Sequence, residues 1–174
     1  MLQNSSDKSA VLKKIIEGRK SIFPKDYTVE DISEGVLNEI LHSANFAPTH
    51  KRTKPWRFKV HRGDQKNLLG EKLAEIYKNT VAPEAFLEKK YQSITEKVNR
   101  TPVIVTISIN FSGLVPEWEE IAATAMAVQN MYLTCTAHNI GCYWSSPGMI
   151  KHLDDFLALD DNQKCYGLFY MGKV

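Results

Sequence analysis

Three short segments collect the residue types that chemistry needs. Arg19-Lys20-Ser21 sets two adjacent cations and a hydroxyl directly after a glycine. Arg supplies a planar fork, Lys a point charge and Ser a short donor, a set that suits a phosphate monoester. Basic residues that close a helix also complement its macrodipole, so the triplet alone reads equally as a helix ending. From Ala47 to Trp56 the chain reads APTHKRTKPW, in which two prolines bracket Thr49, His50, Lys51, Arg52, Thr53 and Lys54. A stiff, positive, donor-rich loop of this kind can clamp an anionic or polar aromatic ligand, or simply be a solvated basic loop. In GCYWSSPG, 141–148, Trp144 stands beside Ser145 and Ser146. That grouping could line a flat heterocycle, or be a core tryptophan followed by a turn.

Other groupings carry less. Cys135-x-x-His138-x-x-x-Cys142 has the spacing of metal ligands but offers three locally, and cysteines near a helix end are more often core residues. No metal site is assigned. Glu119 and Glu120 are neighbours on a helix and cannot face each other, so first-turn charges account for them better than acid–base work. His42, His61 and His152 stand alone and read as surface or half-buried residues. No side chain is singled out as a catalytic acid, base or nucleophile.

The elements that must position these segments follow from periodicity. Val11, Leu12, Ile15 and Ile16 share a face over 9–18, a short amphipathic helix ending at Gly18. Thr28, with Asp31 three residues on, reads as the N-cap of a helix carrying Ile32, Val36, Leu37, Ile40, Leu41 and Ala44. Pro48 closes that helix. Residues 56–60 alternate as a strand, 62–64 turn, and 65–78 and 83–99 are helical. The β-branched run VIVTISIN, 103–110, reads as a central strand. Residues 118–139 form a long helix, apolar and rich in small residues, with Ala122, Ala125, Met126, Gln129, Leu133 and Ala137 running along it; it should be buried and closely packed against another helix, with Gly141 as its C-cap. A strand over 142–145, a short helix near 149–157 and a closing strand over 166–171 complete the chain. The fold class is α+β: a central mixed sheet of about four to five strands flanked by helices, in one domain spanning 1–174.

Composition closes off other classes. The 174 residues are 43% hydrophobic and 24% charged with a net charge of +2, ordinary for a globular chain and too balanced to imply nucleic acid. No apolar run approaches the roughly 20 residues that cross a bilayer. The polar opening MLQNSSDKSA is unlike a secretory signal, and three cysteines without a CxxC pair suit a reducing compartment, so a cytoplasmic location is expected. A Gly-x-Gly-x-x-Gly after a first strand and a Walker lysine loop are both missing, which disfavours Rossmann and P-loop nucleotide sites.

In order and in register, these segments resemble the nitroreductase family of flavoproteins, its short members above all. Arg19-Lys20-Ser21 is similar to the family's Arg-Arg-Ser signature, and 47–56 to its Ala-Pro-x-x-x-x-x-x-Pro-Trp element. Trp118-Glu119-Glu120 with Ala122, Ala125, Gln129-Asn130 and Leu133 resembles the central helix, Gly141 and Trp144-Ser145-Ser146 the next strand and turn, and 167–172 the closing strand.

The resemblance implies a nitroreductase-like fold, an obligate-type homodimer and FMN between the subunits. Arg19, Lys20 and Ser21 would hold the FMN phosphate and reach the ribityl chain or pyrimidine edge. Thr49, His50 and Arg52 would contact the FMN bound mainly by the other subunit, and Trp144, Ser145 and Ser146 would line the flavin. NAD(P)H would reduce the flavin, and an electron-poor acceptor such as a nitroaromatic or quinone would then take its place, a ping-pong oxidoreductase. The alternative is a flavin-binding module without efficient turnover. Three positions depart from the pattern: Phe23 and Phe46 stand where many members have cations, and Lys173 is the nearest cation to a basic phosphate ligand that follows the family's closing strand.

Overall fold

The computed structural model describes residues 5–174; residues 1–4 of the polar opening lie outside the described residues. Four strands form one sheet: β1 (Trp56–His61), β2 (Val103–Asn110), β3 (Ile140–Ser145) and β4 (Gln163–Lys173), in the order β1-β2-β4-β3. Every pairing is antiparallel, which corrects the expectation of a mixed sheet. β2 and β3 do run in the same direction, but β4 is inserted between them and pairs antiparallel with both.

Helices α1 (Ser5–Gly18), α2 (Glu34–Ser43), α3 (Gly63–Thr80), α4 (Glu88–Asn99), α5 (Glu117–Ala137) and α6 (Asp154–Leu157) surround the sheet. One core lies under α2 and α5, built from Leu37, Ile40, Ala127, Val128 and Met131 against Val103, Val105, Ile107 and Phe169. The other lies under α3 and α4, with Leu69, Leu73, Tyr77 and Val98 against Ile104, Leu168 and Tyr170. β2 is buried on both faces, which its unbroken β-branched sequence anticipated.

Several local expectations shift. The N-cap of α2 is Ser33, whose hydroxyl accepts the Val36 N–H at 3.4 Å, not Thr28. Thr28 instead gives its backbone N–H to Lys173 O at 2.8 Å, an edge pairing that outcompetes local capping. The stretch 83–99 divides into a 3-10 turn at Pro83–Ala85 and α4. Gly141 does not cap α5. Asn139, at φ 55°, makes the left-handed turn, and Gly141 already lies in β3.

The face of α5 turned to the sheet carries Ala123, Thr124, Ala127, Val128, Met131 and Cys135. Of the row read along the helix in sequence, Ala122 and Leu133 are half-buried, while Met126 is 41% exposed and Ala125, Gln129 and Ala137 are exposed in the single chain, with Trp118 beside them at 68%. Both faces are apolar, so periodicity alone could not rank them. His61 is another correction. It is 2% exposed, its Nε2 3.3 Å from Thr106 Oγ1, because the helices over β2 also cover the end of β1.

Candidate functional site

Segment 19–28 reaches the site by running along the outer edge of β3. Ile22 N–H pairs with Cys142 O at 3.0 Å, and Tyr27 Oη donates to Ile22 O at 2.8 Å. The Tyr27 ring lies flat over the cross-strand pair Gly141 and Gly172, where a Cβ on either would run into it. Those two glycines hold the segment close to the sheet, and so fix where Arg19, Lys20 and Ser21 emerge at the end of α1.

Tyr132 of α5 joins that triplet to the Trp144 segment. The Arg19 guanidinium sits 5.3 Å from the centre of the Tyr132 ring. The Trp144 backbone N–H donates to Tyr132 Oη at 2.6 Å, and the Ser21 side chain also reaches the phenol. Burial pushes the phenol's pKa up, against the opposing pull of Ser21, the Trp144 N–H and the Arg19 charge. The ring itself packs edge-on to Phe169 at 5.0 Å. Sequence reading passed over Tyr132; the one signal was a phenol between the apolar Met131 and Leu133.

Trp144 Nε1 donates to Tyr166 O at 3.1 Å, and the indole lies directly on the backbone of Gly167. Opposite Gly167 the ladder slips by one residue between Ile107 and Ser108, leaving Tyr166 unpaired in a bulge. Ser145 points with Tyr143 to the other face of β3, as strand alternation requires, and Ser146 is exposed beyond the strand.

The loop bearing Thr49, His50 and Arg52 is ordered by its own bonds. Thr49 Oγ1 accepts the Lys54 N–H at 3.2 Å and lies 3.1 Å from Thr53 Oγ1. His50 Nδ1 is 2.5 Å from Glu119 Oε2, and Lys51 Nζ donates to Leu114 O at 3.0 Å. Lys51, Arg52 and Lys54 all have positive φ, between 43° and 56°. Three non-glycine residues in that region within one loop is strain of the kind that gathers at ligand sites. Glu119 thus holds His50. Its neighbour Glu120 is 1% exposed and accepts the Ser112 N–H, so neither is a plain first-turn charge.

Arg19, Ser21, Tyr132 and Trp144 therefore meet at one end of α5, while Thr49, His50 and Arg52 gather at the other. Arg19, Lys20 and Arg52 have no carboxylate partner among the described residues. Unneutralised cations beside an exposed hydroxyl are the donor set a phosphate monoester requires. Lys173 does not join them. It pairs with Glu30 at 2.8 Å and aligns with Ile140, four residues or about 13 Å along β3 from Trp144. His138 turns its Nε2 to Glu39 at 2.7 Å, while Cys135 and Cys142 are buried thiols in the core under α5.

The Nitroreductase family model matches residues 16–173. YfhC of Bacillus subtilis, provisionally named an NAD(P)H nitroreductase, is 27% identical over 169 residues, covering 94% of this chain and 84% of that protein. A provisionally named nitroreductase from Desulfovibrio desulfuricans, solved in complex with FMN, superposes with a TM-score of 0.71 at 25% identity, over 92% of this chain and 84% of that one. The FMN-dependent nitroreductase NfnB of Mycobacterium smegmatis, solved with NADPH, shares the fold with a TM-score of 0.77 at 14% identity, over 95% and 88% of the two chains.

Proposed function

The chain belongs to the nitroreductase family, and on that premise we propose that it is an FMN-dependent NAD(P)H oxidoreductase, a single flavin-binding domain over 1–174 that works as a homodimer. It passes reducing equivalents to an electron-poor small molecule, a nitroaromatic or quinone, in ping-pong order. When bound, FMN supplies the hydride chemistry; the chain supplies position and charge.

One observation carries this reading: the two donor groups stand at opposite ends of α5 with an open apolar face between them. That face bears Trp118, Ile121, Ala122, Ala125, Met126 and Gln129 at helical spacing, the kind of patch a partner covers. α1 adds Val11, Leu12 and Ile16, each at least 43% exposed. An antiparallel pairing of two copies about a two-fold axis sets the His50 end of each beside the Tyr132 end of the other. Each dimer then has two complete sites.

Within a site, Arg19, Lys20 and Ser21 hold the phosphate and the polar chain beside it. Trp144 and Ser146, with the Ser145 backbone between them, border the ring, the indole held flat on Gly167. Thr49, His50 and Arg52 close the site from the partner subunit. No side chain need move a proton at the reacting atoms, so none is assigned as catalytic.

An absorbance spectrum after FMN addition, then after NADH or NADPH under nitrogen, tests the reading. A flavin band that stays with the protein and bleaches on reduction supports it. A protein that retains no FMN overturns it. Parallel initial-rate lines with a quinone acceptor support ping-pong order, and intersecting lines exclude it.

A further inference from the structure

Resting on the flavin-binding reading above, we propose that Glu119 is a positioning residue that sets the His50 ring, and the strained loop behind it, against the FMN held mainly by the partner subunit. Its Oε2 lies 2.5 Å from His50 Nδ1. An ionised carboxylate only accepts, so Nδ1 carries the hydrogen of that bond. The bond commits one ring nitrogen and fixes the orientation of the ring. Nε2 alone is left for a ligand, on a side chain that is 58% exposed. An imidazole turning freely at that exposure would have to be ordered by the flavin. One held by Glu119 is ordered beforehand.

Glu119 stands on a firm mount. Its neighbour Glu120 is 1% exposed and accepts the Ser112 N–H at 3.1 Å, and Ser112 Oγ accepts the Leu114 N–H at 3.1 Å. The turn so closed presents Leu114 O, to which Lys51 Nζ donates at 3.0 Å. His50 and Lys51 are thus both tied to one stretch, 114–119, that a buried carboxylate holds in place. The next residue, Arg52, is one of three in the loop at positive φ. A loop kept in such a conformation relaxes when its ties are cut. Thr49 bonds to the Lys54 N–H and to Thr53 within the loop, which fixes its shape rather than its direction. The two ties to 114–119 give the direction, and Glu119 is the one made by a side chain of that stretch.

FMN titrations of the flavin-free dimer, followed by quenching of flavin fluorescence, test this. His50→Ala should weaken FMN by about tenfold, the upper end of what one hydrogen bond contributes. Glu119→Ala should weaken it by about threefold to tenfold, the cost of ordering one side chain on binding. The double variant should bind no more weakly than His50→Ala alone. Glu119→Gln keeps an acceptor for Nδ1 and should stay within about twofold of the wild type.

Mixed dimers, isolated through two affinity tags, give the second readout. A Glu119→Ala chain paired with an Arg19→Ala chain has one site with Arg19 from the first chain and His50 and Glu119 from the second. That site should bind FMN as the wild type does, although neither homodimer can. Were Glu119 only a support of its own chain's fold, its loss would damage the site built on that chain, and no pairing would restore one. The proposal is overturned if Glu119→Ala binds like the wild type while His50→Ala does not, if the two losses add in full, or if Glu119→Gln loses as much as Glu119→Ala. The same pairing with His50→Ala in place of Glu119→Ala separates this proposal from the reading it rests on. If that pair regains a site and the Glu119→Ala pair does not, the proposal alone falls. If that pair regains none, or His50→Ala binds FMN like the wild type, the shared site of the functional reading falls with it.

Discussion

Glu119 and Tyr132 stand thirteen positions apart on α5, roughly 20 Å along its axis, and each holds a different half of the candidate site. Glu119 fixes His50 at 2.5 Å; Tyr132 lies beneath Arg19 and accepts from Trp144. One helix therefore acts as the ruler of the site. Its inner face is committed to the core by Ala127, Val128 and Met131. Its outer face, between the two anchors, has no such commitment. In the dimer proposed above, a ligand recognised by both halves meets them from two copies of the chain.

If that outer face is the dimer interface, a charge in its middle should separate the subunits. Met126 is 41% exposed, so Met126→Glu places no charge in the core of the single chain. Secondary structure should be retained by circular dichroism. Sedimentation should shift from dimer to monomer, and FMN affinity should fall at least tenfold because half the donors leave with the partner. A Met126→Glu protein that is still dimeric and still holds FMN would place the interface elsewhere.

Gly167 is required by the tryptophan that lies on it. A Cβ there would enter the Trp144 indole and come within 2.8 Å of Ser145 O, which is backbone and cannot rotate away. Gly167→Ala should cost about 1–3 kcal/mol as overpacking. In a chain of this length that lowers Tm by roughly 3–10 °C. Tryptophan fluorescence should shift as the indole is displaced, and flavin affinity should fall with it. An unchanged Tm would mean that β3 and β4 separate more easily than their pairing suggests.

Much of this fold was legible because local signals and tertiary demands agreed. VIVTISIN could be little other than a strand buried on both faces, and β2 has those bounds. Where they disagreed, the sequence pointed the wrong way for identifiable reasons. Thr28 has the chemistry of an N-cap, but Lys173 O claims its N–H from 145 residues away. The two faces of α5 are both apolar, and only the position of the sheet ranks them. The site segments were legible as donor types, not as a geometry. Tyr132, which joins two of them, takes its meaning from Ser21 and Arg19, more than a hundred residues distant, and no local pattern marks that.

Buried His61 gives the protein a pH-dependent stability separate from its site. Burial first, and the Lys59 charge second, lower its pKa to about 4. Unfolded, the imidazole titrates near 6.5. Between those values the unfolded chain binds a proton that the folded chain refuses, so stability falls as pH drops from 6.5 towards 4 and is constant outside that window for this group. The whole effect is at most about 3 kcal/mol, at about 1.4 kcal/mol for each pH unit. Urea unfolding of the wild type and His61→Gln at pH 7 and pH 4.5 isolates it from the carboxylates. The wild type should lose about 2 kcal/mol more than the variant. Equal losses would show that water reaches the ring.

Arg52 offers a test in which stability and binding should move apart. Its φ of 56°, beside Lys51 at 48°, is a conformation that glycine adopts freely and a side chain pays about 1–2 kcal/mol to hold. The exposed guanidinium has no ion-pair partner among the described residues to offset that cost. Arg52→Gly removes the strain and adds about 0.5–1 kcal/mol of unfolded-chain entropy. The net change in stability should lie between zero and about +1.5 kcal/mol. If the strain is retained to aim a cation at flavin bound by the partner subunit, the same substitution should weaken FMN by about tenfold. Urea midpoints and FMN titrations on one preparation give both numbers. A variant that is more stable and binds FMN as well as the wild type would leave the strained loop without a role in the flavin site.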